Sequence, residues 1–149
     1  MGSSKKKVSA PAKTGKGNKP FVASRSLLPR AETSDSRIAW RFCHVDHAGP
    51  WGFGDLTFAQ IMDKLRAFES MTCREIFDQG EEPGKHYDVA ALPNKVAIDR
   101  LEALNLGDMT KISRLRLGGA IRLYGFLEGN VFHVVWWDPE HQVWPSTRR

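Results

Sequence analysis

Residues 111–146 read KISRLRLGGAIRLYGFLEGNVFHVVWWDPEHQVWPS, three short runs rich in β-branched and aromatic residues separated by glycine-containing turns. That spacing predicts a three-stranded antiparallel meander. In the first run Arg114 and Arg116 alternate with Leu115 and Leu117, so the two-residue period of a strand sends the guanidiniums to one face and the leucines to the other. In the second, Ile121, Leu123 and Gly125 share one face while Arg122, Tyr124 and Phe126 share the opposite one. Gly118-Gly119 suits a two-residue hairpin turn, since both residues tolerate positive φ. The third run, 131–137, is apolar on both faces and calls for a central or covered position. Its paired Trp136 and Trp137 place one indole on each face. Pro139 has no amide hydrogen to give a ladder, which ends the strand near Asp138.

Upstream, Ile38, Trp40, Phe42 and His44 alternate with Arg37, Ala39, Arg41 and Cys43, predicting a half-buried strand over 37–45. The loop 47–54 carries Trp51 and Phe53 among three glycines and a proline, and rings of that size belong over the core. Thr57 and Gln60 have capping-box spacing. From there Phe58, Ile61, Met62, Leu65, Phe68, Thr72 and Ile76 recur at helical steps, predicting one long helix of roughly five turns. Residues 78–88 read as a polar loop. A second helix is expected from Pro93-Asn94 to about Asn105, with Val96, Ala97, Leu101 and Leu104 inward and Gly107 just past its end. The order of elements makes an α+β domain of two layers: an N-terminal strand, two helices on the leucine face of the sheet, then the meander. Its arginine face is left to solvent.

The 149 residues, 41% hydrophobic, suffice for one domain, expected over 36–149. Cys43 and Cys73 lie far apart without metal-type spacing, which suits a reduced cytoplasmic protein and leaves a single bridge open. Residues 1–30 hold eight of the 22 basic residues and no acid, so the remaining 14 face 17 acidic ones and the body is about −3, although the chain is +5. The basic character belongs to the tail, which excludes reading the body as a generally basic nucleic-acid-binding domain. Residues 1–35, rich in Lys, Ser, Gly, Ala and Pro, are expected to be disordered, either as a solubilising extension or for salt-sensitive phosphate attraction. No apolar region of signal-peptide type follows the lysines, and no run reaches the length of a membrane span. Lys6 stands where a myristoylation site after Gly2 would want Ser or Thr.

The stretch SRLRLGGAIRLYGFLEGNVFHVVWWDPEHQVWP resembles the C-terminal meander of the RelE/ParE toxin superfamily: a basic first strand, a Gly turn, an Arg-containing second strand, an apolar third strand and a polar-aromatic end. Element order extends the resemblance to residues 58–145. Some members of that superfamily are ribosome-dependent mRNA endonucleases, others block DNA gyrase, and most pair with an antitoxin. The resemblance thus implies mRNA or the ribosome and a small antitoxin protein as partners, with no membrane and no cofactor or metal. Arg114 and Arg116 stand where RelE-like nucleases carry two basic residues, and Arg122 where an arginine holds the scissile phosphate. Two positions depart. Trp144 falls where a catalytic tyrosine or His-Tyr pair is often found, and Asp138 near a further arginine. An indole is no general base, and a carboxylate repels a phosphate. His141 is the nearby residue able to replace them.

The chemistry stands without the family. Attack of a 2′-hydroxyl on its phosphate needs a base, an acid for the leaving oxygen, and cationic donors for the phosphorane. His141 can exchange a proton near neutrality, Glu140 can complement it, and Arg114, Arg116 and Arg122 can form the clamp. Trp144 can stack a base, with Tyr124 beside the arginines. The plainer reading has these arginines paired to surface carboxylates, and the chain as a non-catalytic interaction module. A weaker third reading, a metal-dependent hydrolase, would use His44, Asp46, His47, Asp138 and His141, whose spacing matches no familiar metal signature. His133, between apolar neighbours, reads as a core histidine.

Overall fold

The computed structural model describes residues 35–54 and 58–145, so the predicted basic tail and the Thr57 cap lie outside the described residues. The elements run β1 (Ala39–Arg41), α1 (Phe58–Glu69), α2 (Cys73–Phe77), β2 (Gly84–Asp88), a single 3-10 turn (Val89–Ala91), α3 (Lys95–Ala103), β3 (Lys111–Gly118), β4 (Ile121–Glu128) and β5 (Val131–Asp138). They form a mixed α+β structure around one five-stranded sheet of order β1-β5-β4-β3-β2, in which β1 is parallel to β5 and the other pairs are antiparallel.

The strands β3, β4 and β5 follow the alternation of the sequence, but their turns are shifted. Gly118 pairs with Ile121, so the first loop is Gly119-Ala120, with an irregularity between Arg116 and Gly118. The predicted Gly118-Gly119 loop is one residue out. A second irregularity sits between Tyr124 and Gly125: Tyr124 pairs with Trp136 and Gly125 with Val134, which leaves Val135 as the extra residue of a bulge. Trp136 thereby joins the core on one side and Trp137 the core on the other.

Four upstream expectations are corrected. The strand expected over 37–45 keeps only Ala39–Arg41, because a tight turn follows in which Val45 donates to the Phe42 carbonyl. The single long helix is two: Thr72 turns out of helical conformation (φ −77°, ψ 158°), and its side chain accepts from the Glu75 amide in a capping box of its own. The polar loop 78–88 contains the edge strand β2, ordered by its pairing with β3. Gly84 sits there because an added Cβ would lie 2.6 Å from the Phe77 ring. Finally, α3 ends at Ala103, and the left-handed residue just past its end is Asn105 and not the expected Gly107. Asn105 takes the left-handed φ of 59°, while the amides of Asn105 and Leu106 reach back to Glu102 and Leu101 as in a Schellman motif. Val96, expected inward, is 47% exposed, since the face that meets the sheet centres on Ala97 and Leu101, with Ile98 and Leu104 packed beside them.

Helices pack on both faces, which corrects the two-layer expectation. The leucine face (Leu115, Leu123, Leu127) carries Ile61, Leu65 and Phe68 of α1 and Ile76 and Phe77 of α2. The opposite face, expected to be wet, places Ile112, Tyr124, Phe126 and Trp136 against Ala97 and Leu101 of α3 and against Trp51. Each such large apolar side chain contributes about 1.5–3 kcal/mol by leaving water. The arginines stand at the end of that face beside the β3–β4 turn, where Arg116 alone of the three is half exposed.

Candidate functional site

The register sets the row. Arg116 lies directly opposite Arg122 across β3 and β4, and Arg122 opposite Asp138 across β4 and β5. One step inward, Arg114 lies opposite Tyr124. Three guanidiniums therefore occupy adjacent positions on one face.

Their burial differs from expectation. Arg114 and Arg122 are 6% and 7% exposed and Tyr124 is fully buried, while the Arg116 side chain is about half exposed. Arg122 donates to the carbonyls of Gly119 (2.6 Å) and Ile121 (3.1 Å), and Arg114 to the Tyr87 hydroxyl (3.1 Å) and the Glu81 carbonyl. The nearest carboxylate is that of Glu82, 3.4 Å from Arg114 and 3.7 Å from Arg116. The Nε of Arg114, the Nε of Arg122 and the Tyr124 hydroxyl are buried and have no hydrogen-bond partner among the described residues. Burial, then the charges of Arg114 and Arg116, pulls the Arg122 guanidinium below its ordinary pKa. Burial raises the Tyr124 phenol well above the usual range, so it stays a neutral donor. Orphaned donors beside an excess of positive charge are costly without an anion to receive them.

The end of β5 brings His141 within reach of the charge of this row. The buried Asp138 carboxylate accepts from the amides of Gln142 (2.9 Å) and Val143 (2.8 Å), drawing the chain into a turn. His141 takes a left-handed φ of 58° in that turn, an uncommon conformation for a residue with a side chain. Its pKa falls through partial burial first, then through the charges of Arg122, Arg114 and Arg116, against the opposing pull of Asp138. The shift favours the neutral imidazole, the form a general base needs. Backbone amides hold both oxygens of Asp138, which gives the carboxylate a structural assignment in the turn while its charge stays near the row.

The other predicted residues divide. Trp144 stacks on Tyr87 with ring centroids 4.2 Å apart and planes at 18°, so one indole face is already covered. Glu140 is exposed and accepts from the Gln142 side chain at 2.9 Å. It lines an open cavity of about 630 Å³ with His141, Gln142, Asn94, Val96 and the edge of Trp51. The cluster considered for a metal-dependent hydrolase comes apart. Asp46 is buried and accepts from Arg100 through two nitrogens (2.6 and 2.9 Å), from the Trp136 indole (3.1 Å) and from the Gly49 amide (3.1 Å). Burial raises its pKa, but those donors outweigh it and leave the carboxyl below its ordinary value. With Asp138 also engaged, neither carboxylate serves as a ligand. Sequence reasoning missed Tyr87 and Glu82; the only trace was the alternation of Lys85 and Tyr87 in a segment with too few apolar residues to read as a strand.

Cys43 and Cys73 are both free thiols, the first exposed and the second buried. No helix among the described residues is long and apolar enough to cross a membrane. Searches of known protein families, curated proteins and solved structures return no match to this chain.

Proposed function

We propose that the protein is a toxin-like RNA-binding protein that holds an RNA phosphate in the row Arg114, Arg116, Arg122 and cleaves the strand at His141 without a metal. One observation carries the reading: two nearly buried guanidiniums and a buried phenol keep unmatched donors, with His141 within reach of their charge. The RelE-like order of the meander and its arginines supports the same reading and makes translated mRNA the substrate and a small antitoxin the partner. In the reaction, neutral His141 takes the proton of the 2′-hydroxyl as its oxygen attacks phosphorus. The guanidiniums stabilise the added charge, and the bond to the 5′-oxygen breaks as that oxygen takes a proton from water, whose hydroxide takes the proton held by His141 and restores the neutral imidazole. The products are a 2′,3′-cyclic phosphate and a 5′-hydroxyl.

A second reading, non-catalytic RNA or protein binding, draws on the engagement of Trp144 by Tyr87 and of Glu140 by Gln142. End-mapping separates the two. The full chain is incubated with mRNA, with and without ribosomes, beside Arg122→Ala and His141→Ala. Cleavage by the parent, loss of about 100-fold or more in His141→Ala with binding retained, and loss of both in Arg122→Ala is the expected result. Binding without cleavage leaves the second reading. No binding at low salt, or binding indifferent to Arg122→Ala, overturns the first reading and leaves only protein binding of the second. Growth arrest on induction in a bacterial host, relieved by the same substitutions, is the matching expectation in cells.

A further inference from the structure

A second group of chemically capable residues lies at the opposite end of the sheet. Residues 42–45 form a tight turn, closed by the Val45 amide on the Phe42 carbonyl at 3.2 Å, and Cys43 and His44 occupy its two corners. The turn follows β1, whose Arg41 lies level with His133 of β5, so it sits directly above that histidine. The His44 and His133 rings are 5.5 Å apart. One donor atom from each of Cys43, His44 and His133 lies within 4.8 Å of the other two. Glu128, at the end of β4, brings a carboxylate oxygen to 3.8 Å from His133 Nε2.

We propose that Cys43, His44 and His133, with Glu128 as fourth donor, bind a zinc-type divalent cation. Donors around a tetrahedral zinc lie about 3.3–3.8 Å apart, given bonds of about 2.0–2.3 Å. These three donors therefore close with roughly 1 Å of movement, which the exposed Cys43 and half-buried His44 can supply above a fixed His133, and the partly exposed Glu128 carboxylate, which lies outside that group of three, swings in from beside His133. One thiolate, two imidazoles and a carboxylate suit zinc and disfavour the hard cations magnesium and calcium. On ligation the Cys43 thiol gives its proton to solvent. The thiolate and Glu128 together balance the charge of the ion, while Arg41 is the opposing cation facing both imidazoles. The bound ion would tie the β1 turn to the start of β5.

The site is separate from the arginine row. Glu128 and Arg122 lie at opposite ends of β4, about 20 Å apart at the rise of a strand. The ion therefore takes no part in the cleavage proposed above.

The test is titration of the reduced, metal-free full chain with cobalt(II), followed by competition with zinc. The expected result is a near-ultraviolet thiolate-to-cobalt band and visible bands of tetrahedral intensity, saturating at one equivalent and erased by zinc. Cys43→Ala removes the thiolate band, and His44→Ala weakens cobalt binding by at least about tenfold. The neighbouring His47→Ala leaves the spectrum unchanged. Both active substitutions are at accessible turn positions, and unaltered circular dichroism shows that the fold is kept. Absence of a thiolate band in the parent, or a Cys43→Ala spectrum like the parent's, overturns the proposal.

Discussion

Asp46 shows how much depends on a single buried residue. Its carboxylate receives four donors from three elements, tying the loop after β1 to α3 and to the indole of β5. Removing one member of a buried pair leaves its partner uncompensated. Asp46→Ala is expected to cost about 3–5 kcal/mol in urea unfolding, far more than the removal of an exposed carboxylate. His86 supplies a pH dependence. Stacked on Phe77 and hydrogen-bonded to Ser113 Oγ at 2.6 Å, its imidazole is pushed down to about 4, by burial first. The unfolded chain, with an imidazole near the ordinary 6.5, binds the proton earlier than the folded one. Its contribution is complete above about pH 6.5 and lost as pH falls towards 4. His86→Gln keeps a polar partner for Ser113 but does not titrate. Its unfolding free energy should fall less between pH 7 and 4 than the parent's, by on the order of 2 kcal/mol. Parallel profiles for the two proteins would contradict this assignment.

Among the elements, the β4–β5 pair has least room for change. Gly125 stands at the bulge, where an added Cβ would collide with the His133 carbonyl and lie 2.6 Å from the Phe132 ring. Backbone on one side and a buried ring on the other cannot give way cheaply. Gly125→Ala is expected to destabilise by about 2 kcal/mol or more, read as a lowered melting temperature. The bulge also explains why strict alternation fails in β5: Val135 and Trp136 are consecutive, yet both pack with α3. A residue inserted against one strand and not its partner leaves no mark in the spacing of apolar side chains. The edge strand β2 was hidden for a different reason. Its order comes from the ladder to β3 and from Gly84 against Phe77, neither of which is visible in Gly-Lys-His-Tyr-Asp as a local pattern.

For the molecule as a whole, the covered arginine face sets stability against binding. Nearly burying Arg114 and Arg122 with unmatched nitrogens, beside a half-exposed Arg116, is an arrangement that folding alone does not favour. If the row is kept for an anion, Arg122→Met should fold more stably, by on the order of 1 kcal/mol, while losing RNA binding. A variant that loses stability and binding together would mark the guanidinium as structural instead.

From the sequence alone the alternation of arginine and leucine in β3, the two-sided apolar character of β5, the mixed helix-and-strand composition and the residues of the row were legible. Each is a local periodicity or a residue type, and both survive whatever the chain packs against. Only the tertiary structure decided that α3 and Trp51 cover the arginine face, that Asp138 and Asp46 are held by amides, Arg100 and an indole, and that His44 meets His133. Those outcomes depend on contacts between residues distant in the chain. Their burial and hydrogen bonds come into being only when β1, β5 and the helices have found one another.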